Sequence, residues 1–62
     1  MLSSGRLRCI IVDDEADARR LIEKYVQKVP FLELAGSAET ATDALFLIRK
    51  LKPDIVFLDI EM

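Results

Sequence analysis

The chain has 62 residues, enough for one small domain, and 52% of them are apolar against 32% charged, which argues against disorder. A domain this short buries only about 60% of its unfolded surface, and one core of this kind supplies roughly 3–5 kcal/mol. Nine basic residues face eleven acidic ones, a net charge of −2, which excludes a basic face able to hold a nucleic-acid backbone.

Leu7 to Asp13 reads as the first strand. Its core, Cys9-Ile10-Ile11-Val12, is continuously apolar rather than alternating, as expected of a strand covered on both faces. A helix follows from about Glu15 to Val29. Ala18, Leu21, Ile22, Tyr25, Val26 and Val29 recur at spacings of three and four and make one apolar stripe. Asp14 is expected to cap it, and Pro30 to end it by pushing Val29 out of the helical region.

Phe31 to Ala38 reads as a second strand, with Leu32 and Leu34 on one face and Phe31, Glu33 and Ala35 on the other. Gly36 weakens its end. Thr40 starts a second helix that runs to about Leu51, and Thr40 with Asp43 approximates a capping box. Ala41, Ala44, Leu45, Ile48 and Leu51 form its expected buried stripe, with Phe46 off it, either at the rim of the core or as a contact with a partner. Lys52-Pro53-Asp54 connects to a third apolar strand, Ile55 to Asp59. The βαβαβ order with short connections implies an α/β fold with a parallel sheet and right-handed crossovers.

Cys9 stands alone, with no second cysteine and no histidine, so it reads as a small buried hydrophobe rather than a redox or zinc residue. No apolar run approaches the ~20 residues that span a membrane, and Met1 to Gly5 lack the apolar stretch of a signal peptide. The cytoplasm is the expected location.

Three aspartates carry the chemistry. In an open parallel sheet, ligands bind beyond the carboxyl ends of the strands, where the strand order reverses. If the first strand lies between the other two, in the order 2-1-3, then Asp13, Asp14 and Asp59 meet at that edge. Neighbouring strands are ~4.8 Å apart, so the carboxylates would converge on one small pocket. Their mutual repulsion favours a hard divalent cation, and magnesium prefers oxygen ligands. A carboxylate beside such a metal can act as a nucleophile and form an aspartyl phosphate. Each aspartate alone has an ordinary reading as a strand terminator or helix cap; the conjunction is what raises the signal.

Ile10-Ile11-Val12-Asp13-Asp14-Glu15 resembles the opening motif of bacterial two-component response-regulator receiver domains. Lys52-Pro53-Asp54-Ile55-Val56-Phe57-Leu58-Asp59-Ile60-Glu61-Met62 resembles their phosphoacceptor motif. The wording Leu58-Asp59-Ile60-Glu61-Met62 is also similar to the LytTR-type regulators, whose output is transcription. The resemblance implies the first half of a doubly wound, flavodoxin-like receiver, with residues 1–6 as a leader and 7–62 as a partial receiver domain. It implies Asp59 as the residue phosphorylated by a histidine kinase or phosphotransfer protein. It further implies Mg2+ held by Asp14 directly, by Asp13 mainly through water, by Asp59, and by the backbone carbonyl of Glu61. The protein would be a phosphoryl-accepting switch rather than a turnover enzyme.

Family receivers continue past the position of Met62 with two strands and three helices, which bring a Thr or Ser and a Lys to the phosphoryl group. Lys50 and Lys52 cannot replace that Lys, since they precede the third strand at the other end of the sheet. The segment is therefore expected to be incompletely competent by itself, to precede an output domain, and to self-associate or exchange strands through its third strand. Two other readings remain. One is a fragment of a metal-dependent aspartyl phosphatase, which the Glu61 spacing after Asp59 matches imperfectly. The other is a receiver-like interaction module that is not phosphorylated.

Overall fold

The computed structural model describes residues 5–59. Leu7–Asp13 forms β1, Ala16–Lys28 forms α1, Leu32–Ala38 forms β2, Ala41–Leu51 forms α2 and Ile55–Asp59 forms β3. The three strands are parallel in the order β2-β1-β3. The chain steps from β1 to β2 in one direction and from β2 back across β1 to β3 in the other. Crossovers of one hand must then place the two helices on opposite faces.

The packing agrees. Cys9 and Ile11 point to one face, where Val26 and Ile22 of α1 cover them together with Leu32, Leu34, Ile55 and Phe57. Ile10 and Val12 point to the other face, against Ala44, Leu47, Ile48 and Leu51 of α2 and against Ala38. Cys9, Ile10, Ile11 and Val12 are wholly buried. A continuous apolar run is stable in this position because the sheet is covered on both sides, and each fully buried side chain of this type contributes about 1.5–3 kcal/mol.

Both helices stop where the local chemistry dictates. Val29, ahead of Pro30, is extended at φ −99° and ψ 111°, as expected. Thr40 caps α2, its Oγ1 accepting the Asp43 N–H at 3.1 Å. At the other end Lys52 adopts a left-handed conformation, φ 48° and ψ 60°, and its N–H donates to the Ile48 carbonyl at 3.0 Å. Arg8 then ties α2 to the sheet. Its guanidinium donates to the Leu51 carbonyl at 2.6 Å, and its backbone N–H and C=O both bond Asp54, at 2.8 Å each. These bonds set where β3 enters and hence where Asp59 ends.

Three details of the sequence reading change. The face of α2 that meets the sheet is Ala44, Leu47, Ile48 and Leu51, so Leu47 replaces Leu45, which is 60% exposed, while Ala41 is exposed. The stripes 41-44-45-48 and 44-47-48-51 have the same period and differ by a rotation of the helix, which only its seat on the sheet decides. Leu21 and Tyr25 of α1 are likewise exposed, whereas Ile22 and Val26 pack. Phe46 lies outside the core as expected, with the Lys50 ammonium 5.6 Å from its ring centre.

The third change is in β2. The register runs Cys9↔Leu34 and then Ile10↔Gly36, so Ala35 is an extra residue and the strand bulges. Ala35 and Ala38 both pack on the α2 face as a result. Gly36 lets α2 approach closely there, because a Cβ at that position would stand 3.3 Å from a Leu51 methyl and 3.6 Å from a Leu47 methyl.

Candidate functional site

β1 and β3 bring their acidic ends together. The β1–β3 register is unbroken from Cys9↔Ile55 to Asp13↔Asp59, so the two aspartates are lateral neighbours at the carboxyl edge of the sheet. The β1–β2 pairing has already ended at Val12↔Ala38. This edge is where the strand order reverses, the place where open parallel sheets bind ligands.

The aspartates differ in surroundings. Asp13 is 3% exposed. Its Oδ1 accepts the Glu15 N–H at 2.9 Å, and its backbone carbonyl accepts Nη1 of Arg19 at 2.7 Å. Its Oδ2 is buried without a partner. Asp14 and Asp59 are exposed. The expected cap is corrected: Glu15, not Asp14, occupies the N-cap of α1, and no side chain caps it. The Asp13 carboxylate instead satisfies the Glu15 N–H from two residues back, which leaves Asp14 outside the helix with its carboxylate in solvent. Glu61, whose carbonyl is an expected ligand, lies outside the described residues.

The carboxylates do not form a ready cage: among the described residues, no three His, Cys, Asp or Glu side chains are gathered closely enough to hold a metal ion. Magnesium does not require one, since it is usually held by one or two carboxylates plus water. The unpartnered Oδ2 of Asp13, buried beside the end of β3, is the kind of atom such an ion satisfies. The residues therefore fit a hydrated hard cation and not an all-protein cage.

Arg19 is the site residue that the sequence reading missed. Its role depends on how α1 is seated against β1, which the one-dimensional pattern does not show. Its neighbour Arg20 has none of this role, forming only an exposed 3.9 Å ion pair with Asp17. Cys9 behaves as expected, since burial pushes its thiol up from the ordinary value of 9.0 and leaves it inert. A cleft of about 230 Å3 between Arg6, Val26, Val29, Leu32 and Leu34 lies at the opposite end of the sheet from the aspartates and brings no carboxylate pair together. Among the described residues, no helix is long and apolar enough to cross a membrane.

The comparisons with known proteins agree with this geometry. Residues 9–62 match the response regulator receiver domain family. The chain is 34% identical over 61 residues to a protein-glutamate methylesterase/protein-glutamine glutaminase of Pyrococcus abyssi, covering 98% of the chain and 17% of that protein. It is 41% identical over 64 residues to a protein of the same description from Nitrobacter hamburgensis, again covering 98% and 17%. With that of Treponema pallidum it shares 36% over 62 residues, all of the chain and 15% of the relative. No solved structure matches the chain.

These relatives overturn one expectation. The sequence points to a signalling domain rather than an enzyme, but the relatives that carry a similar segment are named for enzymatic activities. The matched segment is less than a fifth of each of these proteins, so the activities they are named for are not read from its residues. With the aspartate-bearing edge, the β2-β1-β3 sheet and the match over residues 9–62 in agreement, the chain belongs to the response regulator receiver domain family.

Proposed function

We propose that this receiver accepts a phosphoryl group onto Asp59 from the phosphohistidine of a histidine kinase or phosphotransfer protein. The observation that carries the reading is the lateral pairing of Asp13 with Asp59 at the carboxyl edge of the sheet. Asp59 is exposed, so an incoming donor can reach it. A carboxylate oxygen of Asp59 forms the new O–P bond as the P–N bond of the donor breaks, and the departing imidazole nitrogen takes a proton from solvent. Asp13, Asp14, Asp59 and the backbone carbonyl of Glu61 are the groups that would hold Mg2+. When bound, the ion would supply neutralisation of charge on the transferring oxygens.

Residues 7–62 constitute the receiver portion on this reading, with 1–6 as a leader, and the cytoplasm is the compartment in which it meets its phosphoryl donor. The relatives favour an enzymatic output of the protein-glutamate methylesterase/glutaminase kind. A transcriptional output rests only on the wording from Leu58 to Met62. The edge position of β3, with Val56 and Leu58 exposed, supports the expected self-association or strand exchange through that strand.

Incubating the intact protein with Mg2+ and acetyl phosphate, then measuring its mass, tests the central claim. One phosphate should add, and chelation or Asp59→Asn should abolish the addition. Undiminished addition to Asp59→Asn would refute the assignment.

A further inference from the structure

We infer that Arg19 is a positioning residue of the acidic pocket, acting through the backbone of Asp13. The inference rests on the reading of the pocket as a Mg2+ site. Asp13 ends β1 one residue past the last β1–β2 partner, so its carbonyl stands beyond the ladder on that side. A backbone acceptor in a buried turn needs a donor, and Arg19 supplies it at 2.7 Å. The same residue's carboxylate bonds forward to the Glu15 N–H at 2.9 Å. The turn from β1 to α1 is thus braced twice, once from the helix to the strand and once from the strand to the helix.

The brace determines the aim of two carboxylates. With the Asp13 carbonyl and Oδ1 both engaged, Oδ2 is the one oxygen of that residue left to face the pocket. Asp14 is exposed, with no partner for its carboxylate among the described residues, and its direction follows the backbone that the bonds of Arg19 and Glu15 to Asp13 fix. Arg19 is half-buried, against the exposed Arg20 beside it. Arg19 stands near the N-terminal end of α1, its own N–H donating to the Glu15 carbonyl at 3.0 Å, and a cation there gains nothing from the helix dipole.

Charge and positioning predict opposite signs. A cation beside the pocket repels a metal, so removing it for electrostatic reasons would tighten Mg2+ binding. Removing a brace would weaken it, by roughly tenfold if it acts like other groups that orient metal ligands.

The test is calorimetric titration of the intact protein with Mg2+ alone, at a temperature where circular dichroism shows each variant folded. Arg19→Met, which keeps the apolar stem and loses the donor, should bind roughly tenfold more weakly. Arg19→Lys should recover part of that loss. Arg20→Ala, with the same change of charge, should bind as the wild type does. Equal or tighter binding by Arg19→Met, or equal weakening by Arg20→Ala, overturns the inference and leaves the pocket reading intact. Failure of the wild type to bind Mg2+ overturns both. Should Arg19→Met not fold, nuclear magnetic resonance of the wild type decides: guanidinium protons of Arg19 that exchange more slowly than those of Arg20 support the brace, and equally fast exchange overturns it.

Discussion

Asp13→Asn should exchange metal-dependent stability for metal-independent stability. Asp13 is 3% exposed and keeps one carboxylate oxygen buried without a partner. Leaving a buried polar group unsatisfied costs about 1–3 kcal/mol, and more when it is charged. Asn has the same shape, and its oxygen can still accept the Glu15 N–H now bonded to Oδ1. Its neutral amide replaces a charged orphan with an uncharged one and removes repulsion toward Asp59 on the adjacent strand. The gain in metal-free buffer should be about 1 kcal/mol, which corresponds to a Tm rise of about 4–8 °C in a domain of 60–100 residues.

Magnesium should reverse the ranking. At ten times its dissociation constant, a ligand that binds only the folded state adds about 1.4 kcal/mol. The wild type gains that amount, and the Asn variant, with a weakened site, gains much less. Thermal unfolding followed by circular dichroism, with EDTA and then across a Mg2+ series, checks both halves. The reasoning is refuted if Asp13→Asn unfolds at a lower temperature than the wild type in EDTA, or if Mg2+ raises both melting temperatures equally.

Three further outcomes follow from the fold. Thr40→Ala removes the side-chain acceptor of the Asp43 N–H and should cost about 1 kcal/mol by denaturant unfolding, with Thr40→Ser retaining most of it. Gly36→Val should cost roughly 1–3 kcal/mol through overpacking against Leu47 and Leu51, whereas Gly36→Ala should cost less, since its one contact inside 3.4 Å is the end of a flexible side chain. Burial raises the Cys9 thiol above its ordinary 9.0, so the unfolded chain loses that proton first as pH climbs. Folded stability should therefore decline above about pH 9, and Cys9→Ala should decline less steeply than the wild type in the same titration.

The strand register sets Asp13 beside Asp59, yet the chain accounts for only 17% of the length of relatives such as that of Pyrococcus abyssi. The activities named for those relatives therefore enter as the proposed output and not as properties of these residues. What the segment itself contributes is the geometry that brings Asp59 beside Asp13 and leaves one oxygen of Asp13 buried without a partner.

The sequence by itself determined the order of elements and the parallel sheet, while the central place of β1, and with it the meeting of Asp13 and Asp59 at one edge, was an expectation that the structure supplied. The order and the parallel pairing follow from local signals: continuous apolar runs, a proline after Val29, a threonine cap at residue 40, and the topological rule for crossovers. Tertiary structure decided what local periodicity leaves degenerate. A stripe through Leu45 and one through Leu47 are equivalent along an isolated helix, and only the sheet beneath α2 selects Leu47. Strict alternation cannot foresee the extra residue at Ala35, because a bulge is stabilised by the neighbour it must match. The β1–α1 turn was likewise undecided until packing set Arg19 against the Asp13 carbonyl. A hydrogen bond between a helix side chain and the end of a strand exists only once the two elements have been seated together.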